Sequence, residues 1–315
     1  MAKISEEFQE ILSIAAQSPN HGYFNHRKGA YAFIQANKVV DYHEIEGVHI
    51  EAYETDDGVK AFIEIEEGTQ VKEPVHLCFG DVRKDGRQVI VSHIVVGRGA
   101  KVEFLAHCVF PHAEKFLHAM EGLVEVGEGA DVAYRELHFH GPKSQMDVRP
   151  VTKVTVQNGG RYVNDFTLVE GQIGTLDIKI DIDAVGDGSH VELTSKVYGK
   201  HDDQVKIQDV VKLSGQNSSA LIKTRTVLKD HSRGSFLGMI DGAASGAKGH
   251  VDCTEVIQGH AVADASPVVR ASHPEAEVTH EAAIGRIADD KIVGLMAKGL
   301  SADEAIDMIV SGLLK

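Results

Sequence analysis

The sequence predicts an all-β protein: a right-handed parallel β-helix of two stacked parallel sheets, with about 30 residues per turn. Three observations predict it. First, a corner recurs at near-constant spacing. VGRGAKVEF at 96–104 returns as VGEGADVAY at 126–134, and similar corners surround Gly160, Ser189, Ser218, Ala247 and Ala276. From Ala100 through Ala130 onward, the separations are 30, 30, 29, 29, 29 and 29 residues, which marks a repeat architecture. Second, each unit holds two runs of about ten residues with strand alternation, such as KVEFLAHCVF and then FLHAMEGLVEV. Third, no helical pattern separates the runs. Parallel strands need a long crossover, and here the other strand of each unit supplies it. A propeller is the alternative, but its blades run to about 40–45 residues with four strands each.

Taken in order, residues 4–16 read as an amphipathic helix with Ile4, Phe8, Ile11, Leu12 and Ala15 on one face, ended by SPNHG at 18–22. Residues 23–72 read as short strands between turn signals, DDG at 56–58 and EEG at 66–68. The regular repeat starts near residue 89. After it, Asp289 or Asp290 starts a helix with Ile292, Leu295 and Met296 on one face, and Gly299 stops it. Ser301 and Glu304 form a capping box for a second helix, whose stripe is Ile306, Ile309, Val310 and Leu313. The expected organisation is a helical segment over 1–22, a β-helix core over 23–284 and a helical region over 285–315. Open β-helix ends expose strand edges that invite aggregation, so the terminal helices are expected to cap them. The C-terminal hairpin reads equally well as such a lid or as a docking surface for another chain.

Composition narrows the function. The net charge is −15, which argues against a nucleic-acid binder that must displace counterions and against an anionic membrane surface. No run approaches a membrane span, and MAKISEEFQEIL lacks a signal-peptide core. Three cysteines make no disulfide framework, so a reducing cytoplasm is expected. GRGAK at 97–101 and GAASGAKGH at 242–250 are not P-loops, and no CxxC is present. His280-Glu281 is not HExxH, because position 284 is Ile. No Ser/His/Asp triad can be assigned.

Two constellations could carry chemistry. In a stacked repeat, equal offsets from the corner become neighbours in adjacent turns. Cys108 and His138 each lie eight residues past their corner alanines, Ala100 and Ala130, and His140 shares that face. Lys153 belongs to the opposite sheet of the same turn. Farther on, Cys253 lies six past Ala247, while His280 and Glu281 lie four and five past Ala276, one turn on. A thiolate, an imidazole and a carboxylate suit iron or zinc. Against this, a lone strand cysteine is more often a small buried apolar residue, and a strand histidine is usually on the surface. Cys78, in PVHLCFG, reads as core.

The stretch HPEAEVTHEAAIGRIADDKIVGLMAKGLSADEAIDMIVSGLL resembles the C-terminal signature of the SufB/SufD proteins of the SUF iron–sulfur cluster assembly system, with Leu313 where Phe is usual. FLAHCVFP at 104–111, LHAMEGLVEVGEGADVAY at 117–134 and VTK at 151–153 extend the resemblance over roughly residues 70–315. It implies a right-handed parallel β-helix acting as scaffold for a transient iron–sulfur cluster. It also implies a SufC-like ABC ATPase docked on the C-terminal helices, at Ile292, Leu295, Met296, Ile306, Ile309, Val310 and Leu313. That partner would supply the missing P-loop, so the chain itself is not expected to be an enzyme. By resemblance Cys253 and Glu281 inherit the cluster roles and His280 a supporting one, while Cys108 and Lys153 match sulfur-receiving and tunnel-lining positions. SufD carries His-Gly where His280-Glu281 stands, so the chain is closer to SufB. Departures are a spacing of 28 residues from Cys253 to Glu281, one fewer than expected, and His138-Phe139-His140 in place of an aromatic segment. The long N-terminal region of typical SufB is missing, which suggests a shorter version acting as a homodimer and delivering to apo iron–sulfur proteins. A SufD-like subunit that stimulates the ATPase without holding a cluster is the alternative. A β-helix hydrolase acting on sugars is disfavoured by the absence of Trp.

Overall fold

The computed structural model describes residues 5–16 and 29–314. Helix α1 (Glu6–Ala15) starts at Ser5, whose hydroxyl accepts from the Phe8 N–H. Such a cap satisfies one of the free donors of the first turn. Ile4 and the 18–22 run lie outside the described residues. Four strands follow: β1 (Tyr31–Gln35), β2 (Lys38–His43), β3 (Val48–Glu54) and β4 (Val59–Ile65). The repeat then gives β5 (Val75–Gly80), β6 (Asp85–Val96), β7 (Lys101–Phe110), β8 (Lys115–Val126), β9 (Asp131–His140), β10 (Met146–Val156), β11 (Arg161–Glu170) and β12 (Gly174–Ala184). It continues through β13 (His190–Gly199), β14 (Gln204–Leu213), β15 (Ser219–Leu228), β16 (Arg233–Gly242), β17 (Lys248–Ile257), β18 (Val262–Ala271) and β19 (Glu277–Gly285). Helices α2 (Asp289–Met296) and α3 (Ala302–Leu313) close the chain.

From β5 onward successive strands fall alternately into two sheets, and every pairing among them is parallel. One turn takes about 29 residues, so the two-sheet parallel solenoid expected from the corners is the architecture. The first coil departs from it. β1 pairs antiparallel with β2, and β3 with β4. A first coil has no preceding turn to stack on, and these hairpins cover its edges instead.

Inward rows fill the space between the sheets. On β14 the inward residues Val205, Ile207, Val211 and Leu213 are all buried. Each such side chain contributes about 1.5–3 kcal/mol on leaving water. The corners explain the repeat's spelling. Gly129 has φ 64°, a left-handed conformation that costs other residues dearly, and the next residue, Ala130, is buried. Where the corner reads GQNSS, Asn217 takes φ 55° in its place.

The helices do not cap the ends. Both α1 and α3 lie on the outer face of the sheet formed by the odd-numbered strands. Phe8, Ile11 and Ala15 of α1 pack on Phe33, Cys78, Val109 and Phe139. Val310 of α3, with Leu314, packs on Tyr198 and Val227. The Tyr198 hydroxyl donates to Asp307 Oδ1 at 2.7 Å, and Lys229 Nζ donates to Asp303 Oδ1 at 2.7 Å. The outward rows under these helices are apolar and need cover, which is why the amphipathic stripes settle there. The last coil is left open, and no residue of β18 or β19 is buried. No helix of the described residues is long and apolar enough to cross a membrane.

Candidate functional site

The register separates residues that the sequence spacing seemed to unite. Cys253 on β17 stands beside Ala282 of β19, whereas Glu281 stands beside Asp252 and His280 beside Val251. Strand side chains alternate faces. Cys253 and Val251 point inward and are buried, so His280 shares the inner side with Cys253. Glu281 is on the outer side with Asp252, which is held by an ion pair with Arg225. Both His280 and Glu281 are exposed on the uncovered last coil. Beneath that coil the largely apolar interior also holds polar groups, among them Cys253, Glu255 and Asp209. Burial, together with Glu255, pushes the Cys253 thiol up to about 11. Burial also pushes the carboxyls of Asp209 and Glu255 up to about 7.

The helical hairpin is divided between a face packed on the sheet and a free surface. Val310 is buried and Ile292, Ile306 and Ile309 are partly so against the sheet. Val310, expected as a docking residue, is therefore used internally. Leu295 is half-buried. Met296, Leu313, Val293 and Met308 are exposed, at 43%, 46%, 61% and 54%.

The second constellation is inside the solenoid. Cys108 and His138 are register partners on β7 and β9, and both are buried. The opposite sheet adds His118 from β8. One donor atom from each of Cys108, His118 and His138 lies within 4.8 Å of the others. His138 Nε2 meets Glu136 Oε1 at 2.6 Å, His138 Nδ1 faces His140 Nε2 at 3.4 Å, and His140 Nδ1 faces the Gln172 carbonyl at 3.2 Å. Neither ring nitrogen of His118 has a hydrogen-bond partner. Its ring touches Phe110 and His138, at centroid distances of 4.8 and 5.7 Å. Desolvation, reinforced by His138 and His140, drives the His118 pKa well below the ordinary value. Burial, then the Glu136 charge, raises the Cys108 thiol well above its own. Glu136 also lines a narrow cavity of about 40 Å³ between the sheets, with Ile63, Phe79, Met120, Tyr134 and Asn164.

Lys153 is not part of this group. It is exposed on the outer face of β10, and its neighbour Thr152 lines the cavity instead. The expectation that Lys153 lines an interior route fails on the alternation of the strand. Cys78 is buried under α1, as core, and burial raises its thiol pKa. His118 escaped the sequence reading because equal-offset comparison relates residues of one sheet only. Glu136 was legible, lying two residues before His138 on the same face.

Residues 82–313 match the family described as SUF system FeS cluster assembly, SufBD core domain. An iron–sulfur cluster assembly SufBD family protein of Methanocaldococcus jannaschii is 36% identical over 312 residues, covering 99% of this chain and 98% of its own length. A Pyrococcus horikoshii protein of the same description is 35% identical over 310 residues, 98% of this chain and 94% of its own. A chloroplastic SufBD family protein of Arabidopsis thaliana is 26% identical over 268 residues, 81% of this chain and 47% of its own.

Proposed function

The chain belongs to the SufBD family of the SUF iron–sulfur cluster assembly system, and on that premise we propose that it is an assembly scaffold working with an ABC-type ATPase. The cluster is its cargo, built transiently and passed to apo iron–sulfur proteins. The observation that carries this reading is a thiol, Cys253, one layer beneath the uncovered last coil, with the imidazole of His280 on the inner side of that coil and two residues along from the register partner of Cys253. A soft sulfur ligand is what iron–sulfur chemistry needs. A second copy of the chain placed against that coil would shelter the nascent cluster in a homodimer. Glu281 would reach such a cluster around the free edge of β19. ATP hydrolysis belongs to the partner, because the sequence offers no P-loop. The partner would dock on the exposed side of α2 and α3, at Met296 and Leu313, and its motion would open and close the dimer.

Anaerobic reconstitution with iron and sulfide, followed by visible absorption, tests the site. Loss of the cluster is expected in Cys253→Ser and Glu281→Ala. If both variants bind the same cluster as wild type, the assignment is wrong. One observation favours the alternative, a partner subunit that stimulates the ATPase but holds no cluster. Cys253 is buried, its thiol is pushed up to about 11, and Glu281 is across the sheet from it. A chain of that kind would bind the ATPase and remain colourless on reconstitution.

A further inference from the structure

We propose that Cys108, His118 and His138 form a resident site for one borderline divalent metal ion, of the zinc or ferrous kind, inside the solenoid and apart from the open end. The two sheets converge on it. β7 and β9 bring Cys108 and His138 from one side, and β8 brings His118 from the other.

The tautomers carry the argument. A carboxylate accepts from His138 Nε2, so that nitrogen holds the hydrogen and Nδ1 presents a lone pair. A carbonyl accepts from His140 Nδ1, so Nε2 there presents a lone pair too. These lone pairs face each other at 3.4 Å in a buried site. Two acceptors so placed repel unless a positive centre lies beside them. A proton on His138 would relieve that pair alone. It would leave His118 with both nitrogens buried and unpartnered, which buried polar groups rarely are. A metal ion relieves the facing lone pairs and at the same time gives one of the two His118 nitrogens a partner.

The donor chemistry agrees. One thiolate with two imidazoles suits zinc or ferrous iron rather than calcium or magnesium. Glu136 and Gln172 are the kind of partners that orient ligating imidazoles, by taking the hydrogen of the other ring nitrogen. His140 Nε2, 3.4 Å from His138 Nδ1, is available as a fourth donor. On binding, the Cys108 S–H bond breaks, the proton leaves to solvent and the sulfur bonds the ion. A neighbouring dication overcomes the burial that otherwise holds this thiol protonated. All three donors are buried, so the ion enters while the chain folds.

The full chain is unfolded, stripped with a chelator and refolded anaerobically with Zn2+ or Co2+ alone, without sulfide. Metal per chain is then counted after desalting, and the cobalt form is read by absorption. The expected result is one ion per chain. With cobalt, a near-ultraviolet thiolate charge-transfer band and tetrahedral visible bands are expected. The charge-transfer band should vanish in Cys108→Ser, and the ion should be lost in His118→Gln, while Cys253→Ser keeps both. Circular dichroism and thermal melting identify variants that merely fail to fold, and His118→Phe is a second, apolar replacement for that case. No bound ion in refolded wild type, or full retention in folded His118→Gln and His118→Phe, overturns the proposal. Because Cys253→Ser and the absence of sulfide remove the cargo site from the experiment, failure here leaves the scaffold reading standing, and the reverse also holds.

Discussion

Cys108 and His138 stand side by side on adjacent coils, with both side chains inside the solenoid and a glutamate, Glu136, bonded to the far nitrogen of the imidazole. A thiol in this position is shielded from solvent, as are Cys78 and Cys253. Native protein is therefore expected to react slowly with a bulky thiol reagent, and all three cysteines to react promptly in denaturant. A fast native reaction at Cys108, located by peptide mass, would show that the interior opens to solvent.

Asp209 supplies a pH dependence. It is fully buried, neither carboxylate oxygen is hydrogen-bonded, and burial pushes its pKa from 3.8 up to about 7. The folded chain then holds this proton more tightly than the unfolded chain. The associated stability is complete below the unfolded value and is lost as pH rises through the folded one. Denaturant melts of wild type and Asp209→Asn at about pH 5 and about pH 8.5 isolate it. Wild type should lose more stability than the variant on going to the higher pH, on the order of a few kcal/mol. Equal losses would remove Asp209 as the cause.

Gly129 and Asn217 occupy equivalent corners at φ 64° and 55°. Gly129→Ala is expected to cost about 1 kcal/mol, since a Cβ is disfavoured in the left-handed region. No atom lies within 4 Å of where that Cβ would go, so conformation alone sets the cost. Asn217→Gly should be close to neutral. Equilibrium unfolding in urea compares the two.

Val310 separates the hairpin from the solenoid. It is buried against Tyr198 and Val227, so Val310→Asp is expected to release α3 while the β-coils stay folded. Hydrogen exchange would show rapid labelling of 302–313 with β7–β17 unchanged. Uniform loss of protection would mean that the helix is needed for the coil itself.

Met296 and Leu313 test the docking surface from the other side. Both are exposed, so Met296→Glu with Leu313→Glu should leave the melting temperature unchanged. Copurification with the proposed ATPase partner should fall by an order of magnitude or more. Undiminished binding would place the partner elsewhere.

How far the sequence could be read follows from what its period measures. Corners such as Gly129-Ala130 punctuate every coil, so the stacking of the parallel coils was legible to the residue. The antiparallel pairings of β1 with β2 and β3 with β4 were not, because short alternating runs look alike in either direction. The face of a side chain was legible only where parity was followed. Cys253 and Glu281 lie six and five past their corners, and an odd difference puts them on opposite faces. Asp209 sits in the inward phase of an otherwise aliphatic row, Val205, Ile207, Val211 and Leu213, a signal available from alternation alone. His118 was hidden because its distance to Cys108 is set by the separation of two sheets, which no linear spacing encodes.

The uncovered coil at β18 and β19 has a mechanical meaning as well. In a stack where each layer is held by the one before it, the two ends are not equivalent. Hairpins clamp the start, whereas the finish is free, so thermal loosening should begin at Gly285 and travel backward one layer at a time. Cys253 lies just one layer in. A protein that tightened or relaxed the final layer would thus control solvent access to that sulfur without disturbing the rest of the molecule.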